Sequence, residues 1–345
     1  MDIRSLYIDE LKSLMTDMGQ PAFKAGQLFD WMHKKHVESY DEMTNLSKDL
    51  REKLKKEQPY TVLKLEERYV SDLDGTRKYL FALSDGNFIE SVFMRYKHGN
   101  SVCISSQVGC RMGCRFCAST LDGLERNLKP SEMLEQIYAI ERDTKERVSN
   151  VVVMGTGEPL DNYDNLIRFY KLLTDEKGLN ISGRNVTVST CGIVPNIYKL
   201  ADEHLSLTLA LSLHATTDEK RKEIMPIANS YTIEELIEAC TYYFKTTGRR
   251  VSLEYSLIGG VNDSTAEAEA LGRIADKIGA HINLIPVNSV KEREYRRGDR
   301  ASIEAFKNKL EKNANNVTIR REMGQDINAS CGQLRHRRIN LTDYD

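Results

Sequence analysis

Three cysteines lie close together in one short segment of the chain. Cys110, Cys114 and Cys117 form the run Cys-Arg-Met-Gly-Cys-Arg-Phe-Cys, with the spacing C-x3-C-x2-C. Cysteine thiolates are the usual protein ligands of iron–sulfur clusters, and a fully coordinated cluster takes four of them. Three ligands leave one iron open, and an open coordination position distinguishes a catalytic metal site from a structural one. The run therefore predicts a cluster that binds a further molecule and reacts with it.

A zinc knuckle is the alternative interpretation of the same cysteines. It would need a second pair of ligands. Cys191 and Cys240 are isolated, at positions predicted to be a strand end and a helix, and they make poor partners. The seven cysteines are an odd number. In a chain expected to stay in the reducing cytosol, they are better explained as ligands or reactive thiols than as a disulfide framework.

A second motif, Met-Gly-Thr-Gly-Glu-Pro-Leu at residues 154–160, follows the next predicted strand. Its glycines allow the backbone to come close to a ligand. The carboxylate of Glu158 can accept hydrogen bonds from an ammonium group. Alone, Gly-x-Gly-Glu-Pro could be a simple turn. Its position one strand–helix unit after the cysteines makes the motif much more specific.

The cysteine run and the Gly-x-Gly-Glu-Pro motif together resemble the radical S-adenosylmethionine superfamily. Five further segments resemble the RlmN/Cfr family of RNA adenine methyltransferases: residues 103–110, 118–127, 189–195, 212–214 and 329–334. The resemblance extends over essentially the whole chain. The family has a branch that methylates adenine C2 and a branch that methylates C8. Ala-Ser-Thr at residues 118–120, where the C8 branch typically has Ala-Thr-Gly, favours the C2 branch.

The resemblance implies binding roles for individual residues. It implies that Cys110, Cys114 and Cys117 hold a [4Fe-4S] cluster. It also implies that S-adenosylmethionine (SAM) is bound by Gly157, Glu158, Ser189, Ser212, Leu213, His214 and Asn288. His214 ends a predicted strand, so a histidine that serves only the core is the structural alternative at that position.

Three catalytic residues and a two-step reaction also follow from the resemblance. One SAM methylates Cys331, and a second is cleaved reductively to a 5′-deoxyadenosyl radical that takes a hydrogen from the new methyl group. The resulting carbon radical adds to adenine C2. Glu90 then accepts the C2 proton, and Cys103 releases the product by forming a disulfide with Cys331. A flavodoxin-type reductant is implied, because that disulfide must be reduced after each turnover.

Each of these three residues also has a structural interpretation. Cys103 lies within a predicted strand and can be a small core residue. Cys331 has arginines on both sides, and positive neighbours lower the pKa of a thiol and favour the nucleophilic thiolate. Glu90 alternates in phase with apolar residues. A carboxylate on such a face can have a raised pKa that suits proton transfer, or it can lie at the rim of the face.

The implied substrates are adenosines in 23S rRNA, at the peptidyl-transferase centre, and in tRNA, next to the anticodon. The net charge of −2 gives no general sign of a nucleic-acid partner. Basic residues cluster locally at 33–36, 291–300 and 317–338, and these segments can contact phosphates. Two alternatives stay open. One is C8 methylation of the same rRNA adenosine, and the other is a non-catalytic, metal-containing RNA-binding module.

The elements that position these residues are predicted from hydrophobic periodicity. Residues 1–59 read as three helices, an RNA-binding accessory domain, and residues 60–98 as antiparallel lead-in strands with Asp-Gly turns. Six apolar strands then alternate with helices, which predicts a parallel sheet. The strands are 101–106, 150–154, 184–189, 205–213, 250–257 and 281–286. Six units are too few for an eight-stranded barrel. We therefore expect an α/β fold, a partial (β/α)6 TIM-like barrel over residues 99–322, followed by a C-terminal segment, 323–345, that carries Cys331.

Composition agrees with a soluble globular chain, with 40% hydrophobic and 29% charged residues. No stretch approaches 18 apolar residues, and the first residues lack the apolar core of a signal peptide. We expect a cytoplasmic protein that does not contact a membrane, and a monomer.

Overall fold

The computed structural model describes residues 2–288, 292–313, 315–327 and 329. Its amino-terminal region contains α1 (Ile8–Asp17), α2 (Lys24–His33) and α3 (Lys48–Glu57). The Ser47 hydroxyl caps α3 by accepting a hydrogen bond from the Leu50 N–H at 3.4 Å. The apolar faces of these helices belong to the same hydrophobic core as the rest of the chain.

Four antiparallel strands follow these helices: β1 (Lys64–Val70), β2 (Arg77–Ala82), β3 (Phe88–Tyr96) and β4 (Gly99–Cys103). Gly75 has φ +70° in the turn between β1 and β2, and Gly86 has φ +84° between β2 and β3. Glycine adopts such angles without steric cost, so the predicted Asp-Gly turns are confirmed.

A two-stranded hairpin, β5 (Gln107–Gly109) with β6 (Leu124–Asn127), encloses the cysteine run. The predicted strand at 101–106 ends earlier, at Cys103, so the cysteines follow β5 rather than the first parallel strand directly. This hairpin was not predicted, because its two short strands are separated by a loop with no regular pattern.

Alternating strands and helices form the remainder of the chain. The helices are α4 (Pro130–Thr144), α5 (Tyr163–Leu173), α6 (Val194–Asp202), α7 (Asp218–Ile224), α8 (Ile233–Thr247), α9 (Thr265–Ile278) and α10 (Arg300–Lys312). The strands are β7 (Asn150–Val153), β8 (Val186–Thr190), β9 (Thr208–Ser212), β10 (Ser252–Leu257), β11 (His281–Pro286) and β12 (Val317–Ile319). Strands β4 and β7–β12 pair in parallel in sequence order.

The large sheet has ten strands in the order β1-β2-β3-β4-β7-β8-β9-β10-β11-β12. The predicted α/β fold with six central parallel strands is confirmed, and β12 adds a seventh parallel strand that the sequence did not indicate. Within the described ranges no pairing joins β1 to β12. No helix in this part of the chain is long and apolar enough to cross a bilayer.

One row of polar side chains crosses the parallel strands. In the strand register, Ser212 of β9 is opposite Glu254 of β10, and Glu254 is opposite Asn283 of β11. The Asn283 side-chain amide donates to the buried Glu254 carboxylate at 2.7 Å. Ser212 and Glu254 of this row line a cavity, so this face of the sheet is a candidate ligand site.

Candidate functional site

The cysteine loop is closed tightly at its base by the β5–β6 hairpin. The Cys110 N–H donates to the Gly123 carbonyl at 2.7 Å. A Cβ on Gly109 would lie 1.9 Å from that carbonyl oxygen, so only glycine fits there. Inside the loop, the Thr120 hydroxyl lies 3.0 Å from the carbonyl oxygens of both Cys114 and Cys117. The backbone is therefore held in place around all three cysteines.

The three cysteines line one cavity of about 210 Å³ at the C-terminal ends of the parallel strands. Burial raises the pKa of the Cys110 thiol to about 12 and raises the pKa of Cys114 strongly. Such thiols become thiolates only when a cation replaces their protons, as iron does.

Among the described residues, no three His, Cys, Asp or Glu side chains are arranged around a single metal ion. A [4Fe-4S] cluster does not require this, since each thiolate binds a different iron. The donor set and the cavity fit such a cluster.

The Gly-x-Gly-Glu-Pro segment forms the next wall of this cavity. Gly157 has φ +112°, and a Cβ there would lie 2.6 Å from the Cβ of Gln107. A Cβ on Gly155 would lie 2.6 Å from the Ile104 carbonyl oxygen. The glycines thus allow close packing against the chain after β4. Both glycines also line the cavity, so the backbone itself forms part of its wall.

Glu158 is buried, and its two carboxylate oxygens are fixed by backbone donors. Oε1 accepts from the Leu160 N–H at 3.0 Å, and Oε2 accepts from the Cys191 N–H at 2.7 Å. Burial raises the pKa of Glu158, although these hydrogen bonds favour the charged form. The side chains of Thr190 and Cys191 also hydrogen-bond to this carboxylate. A carboxylate has about four acceptor positions, so a ligand ammonium would share them with these donors.

His214 lies after β9 on the cavity wall, with φ +58° and its ring edge-on to Phe116 at 4.9 Å. Its Nδ1 accepts from the Ser256 N–H at 2.9 Å, so its proton must be on Nε2. Burial lowers the pKa of His214 to about 3. The ring is therefore a neutral donor at physiological pH.

The other predicted SAM-binding residues lie in three different environments. Ser189 and Ser212 line the cavity, and their hydroxyl oxygens lie 3.3 Å apart. Leu213 is buried, and its N–H donates to the Glu254 carbonyl, so its backbone and side chain belong to the core. Asn288 is exposed and lines a second cavity instead.

The second cavity, of about 410 Å³, adjoins the first and shares Ile285 and Arg320 with it. Cys103, at the end of β4, lies in its wall opposite Val92 of β3. Met323 and Ala329 pack against the same small apolar cluster. Cys103 thus lies in the wall of the second cavity, which adjoins the cavity lined by the three cysteines.

Glu90 lies on the same face of β3 as Val92, two residues away, and is buried. Its Oε2 is 3.1 Å from Nζ of Lys78 on β2, whose side chain is fully buried. The prediction of a carboxylate on an apolar strand face is confirmed, and the sequence did not indicate its lysine partner.

Cys331 lies outside the described residues. No disulfide joins any two of the six cysteines within the described part of the chain.

The predicted basic contact segments differ in exposure. His33 and His36 are buried, and burial lowers their pKa values to about 3 and about 4, so they are neutral and unavailable to RNA phosphates. Arg293 turns back toward the cysteine loop and donates to the Thr120 hydroxyl at 3.2 Å. Arg297 is exposed at the second cavity, where it pairs with Glu322.

Two residues near the cysteines were not recognised in the sequence. Cys191 lines the same cavity as the three cysteines of the run, although it seemed isolated in the sequence. Arg221 of α7 is fully buried and donates to the carbonyls of Cys191 and Leu213. The local pattern around Arg221, Asp-Glu-Lys-Arg-Lys-Glu, is that of an exposed helix and gave no signal of burial.

Comparisons with known proteins match almost the whole chain. A model described as the radical SAM superfamily matches residues 104–270, and one described as the ribosomal RNA large subunit methyltransferase N-terminal domain matches residues 1–58. The chain is 62% identical over 336 residues to the probable dual-specificity RNA methyltransferase RlmN of Lachnospira eligens, covering 97% of this chain and 96% of that protein. It is 59% identical over 335 residues to the protein of the same description from Lachnoclostridium phytofermentans, covering 97% and 94%. A crystal structure of a radical SAM methyltransferase from Sphaerobacter thermophilus matches with TM-score 0.93 and 41% identity, covering 96% of this chain and 98% of that one.

Proposed function

Because the chain belongs to the RlmN family of dual-specificity RNA methyltransferases in the radical SAM superfamily, we propose that it methylates C2 of adenosine. The proposed substrates are 23S rRNA at the peptidyl-transferase centre and tRNA next to the anticodon. The reaction proceeds through a methylated cysteine and consumes two SAM molecules per turnover. The protein acts as a cytoplasmic monomer with a flavodoxin-type reductant.

The first cavity holds the cofactors in this proposal. Cys110, Cys114 and Cys117 bind the [4Fe-4S] cluster, which supplies the electron for the reductive cleavage of SAM. Glu158 accepts a hydrogen bond from the ammonium group of SAM. His214 donates from Nε2 at the cavity wall, and the paired hydroxyls of Ser189 and Ser212 offer further hydrogen bonds.

One observation carries the proposal beyond cofactor binding: Cys103 and Ala329 pack in one cluster, in a cavity adjacent to the cofactor cavity. Ala329 lines that cavity, and Cys331 follows Ala329 by two residues in the sequence. In the proposed mechanism, Cys331 carries the methyl group, and Cys103 attacks its sulfur to release the product.

Glu90 is the proposed acceptor of the adenine C2 proton. It shares a strand face with Val92, which lines the second cavity and is opposite Cys103. The volume of that cavity, about 410 Å³, falls in the range of about 300–1,000 Å³ typical of small-molecule pockets. An adenine base extruded from RNA fits in such a space. The exposed guanidinium groups of Arg297 and Arg321 at its rim suit the flanking phosphates.

The test of the proposed function is the position of the new methyl group. The reconstituted protein is incubated with unmodified 23S rRNA and tRNA, and the digested nucleosides are separated by mass spectrometry. We expect 2-methyladenosine from both RNAs. Formation of 8-methyladenosine would assign the chain to the other branch of the family, and absence of 5′-deoxyadenosine under reducing conditions would exclude radical chemistry.

The two-thiol mechanism is tested with single cysteine variants. We expect Cys331→Ala to form no methylated RNA and no methylated protein. We expect Cys103→Ala to form methyl-Cys331 but to accumulate protein joined covalently to RNA, since the resolving thiol is missing. Cys240→Ala is the matched control, because Cys240 is buried in α8 and lines neither cavity. Turnover by Cys331→Ala at the control's rate would contradict the mechanism.

A further inference from the structure

Arg221 is a fully buried cation next to the cysteine loop. Its Nε donates to the Leu213 carbonyl at 3.1 Å, and its Nη2 donates to the Cys191 carbonyl at 2.6 Å. Its Nη1 has no hydrogen-bond partner among the residues that the structure describes. An unpartnered, buried guanidinium nitrogen is unusual, because nearly all buried polar atoms are hydrogen-bonded.

The charge of Arg221 also lacks a local counter-ion. Among the described residues, no carboxylate forms an ion pair with it, although Asp218 lies one helical turn earlier on α7. Arginine stays protonated even when burial lowers its pKa. A buried cation without a compensating anion is strongly unfavourable. The fold therefore contains a positive charge that requires a negative partner.

The negative partner that the surroundings offer is the cluster bound by the cysteine loop. Arg221 donates to the Cys191 carbonyl, and Cys191 lines the same cavity as the three cysteines of the run. The polypeptide that follows Arg221 also supports that loop. The Ile224 carbonyl accepts from the Arg115 N–H at 2.9 Å, and the Cγ of Pro226 lies 3.3 Å from the position of a Cβ on Gly113.

We propose that Arg221 supplies the buried counter-charge of the iron–sulfur cluster and thereby favours its reduced state. This inference rests on the cluster-binding part of the proposed function. A cluster with three thiolate ligands is anionic, and one-electron reduction adds one further negative charge. A nearby cation in a low-dielectric environment stabilises the reduced form more than the oxidised form, so it raises the reduction potential. Arg221 is a positioning and tuning residue, and it need not touch the substrate.

The test is a potentiometric titration of the reconstituted full-length protein, followed by the EPR signal of the reduced cluster. The variants are Arg221→Met, Arg221→Gln and Arg221→Lys. The matched control is Arg115→Met, because Arg115 is adjacent to Cys114 in sequence but exposed to solvent, which screens its charge.

We expect Arg221→Met and Arg221→Gln to lower the equilibrium constant for reduction of the cluster at least tenfold. For a one-electron couple, this lowers the midpoint potential by about 59 mV. We expect Arg221→Lys and Arg115→Met to change it much less. The midpoint potential is read from the EPR-active fraction, so incomplete cluster loading does not affect it. Equal midpoints for wild type and Arg221→Met, or an equal shift in Arg115→Met, would overturn the inference.

Cluster content separates a tuning role from a purely structural one. If the neutral variants lose the cluster while Arg221→Lys retains it, the positive charge is required for the bound cluster, which supports the inference. If Arg221→Lys also loses the cluster, cluster binding depends on the hydrogen bonds from the guanidinium to the carbonyls and not on the positive charge. That result would contradict the inference. A wild-type protein that binds no cluster would instead contradict the proposed function.

Discussion

The Lys78 ammonium lies 3.1 Å from the Glu90 carboxylate. Both side chains are buried, and they lie on the same face of the sheet as Cys103. The hairpin register explains the pair: Lys78 is opposite Val92, so it shares a face with Glu90. This arrangement keeps a carboxylate inside an apolar face, where an isolated charge would not be tolerated.

We predict that Lys78→Met destabilises the fold by about 3–5 kcal/mol, because the Glu90 carboxylate loses its buried counter-ion. Urea unfolding of the cluster-free protein measures the change. The double variant Lys78→Met/Glu90→Leu should recover much of the loss, since it leaves no buried charge. Equal destabilisation in the single and double variants would show that the ion pair is not coupled.

A second prediction concerns acid stability and the buried His33. Its Nδ1 lies 2.7 Å from the Tyr138 hydroxyl, and burial lowers its pKa from 6.5 to about 3. Because only the unfolded chain binds this proton between those values, His33 makes the folded state less stable as the pH falls below 6.5. It should contribute a loss of about 2 kcal/mol between pH 6.5 and pH 5.

The measurement is the pH dependence of the unfolding free energy of wild type and His33→Gln. Between pH 6.5 and pH 5, the unfolding free energy of His33→Gln should fall by about 2 kcal/mol less than that of wild type. His281→Gln is the control variant, because His281 is only half-buried and its pKa is lowered less than that of His33. Parallel curves for wild type and His33→Gln would contradict the lowered pKa of His33.

A third prediction concerns the turn between β1 and β2, which is hydrogen-bonded to Gly324 and Asp326. Asp326 accepts from the Ser71 hydroxyl at 2.6 Å and from the Asp72 N–H at 2.9 Å, and Asp74 accepts from the Gly324 N–H at 3.0 Å. Met323 and Ala329, on either side of these bonds, pack against Cys103. We predict that Asp326→Ala loosens this packing and speeds alkylation of Cys103 several-fold.

Mass-spectrometric mapping of iodoacetamide-treated protein gives the rate at each cysteine. Asp72→Ala is the matched control, since it removes a carboxylate from the same turn but leaves the Asp72 N–H available to Asp326. The rate at Cys240, in the core of α8, should be the same in both variants. An unchanged rate at Cys103 in Asp326→Ala would show that these hydrogen bonds do not hold the segment.

A fourth prediction concerns Gly157. The change Gly157→Ala adds a Cβ that would lie 2.6 Å from the Gln107 Cβ, at φ +112°. We predict a destabilisation of about 3 kcal/mol from strain and overpacking, together with loss of SAM binding, because the Glu158 N–H bonds to the Gln107 side chain.

Denaturant unfolding and equilibrium binding of SAM to the reconstituted protein measure these two effects. Gly260→Ala is the control: its φ is +73°, but no atom lies within 4 Å of the added Cβ, so it should cost only about 1 kcal/mol. Similar losses in both variants would attribute the whole effect to backbone strain.

The sequence was informative wherever the functional residues are contiguous or periodic. The cysteine run and the Gly-x-Gly-Glu-Pro segment are local, because each is one loop at the end of one strand. The alternation of apolar residues predicted the antiparallel strands and six parallel strands, since periodicity reports directly which face is buried. The β5–β6 hairpin and β12 were not predicted, because their three or four residues show no period and lack the continuous apolar run that marks β7.

Only the tertiary structure decided which distant residues meet. Cys191 follows β8 and packs in one cluster with Cys114, because parallel strands end at one edge of the sheet. Arg221 of α7 donates to the Cys191 carbonyl. The burial of Arg221 and Lys78 could not be predicted, since a charged side chain in a polar segment is normally solvated. The sequence by itself determined the cluster loop, the superfamily chemistry and the α/β fold. The packing decided which charges surround that chemistry, because burial and electrostatic partners depend on contacts between elements far apart in the chain.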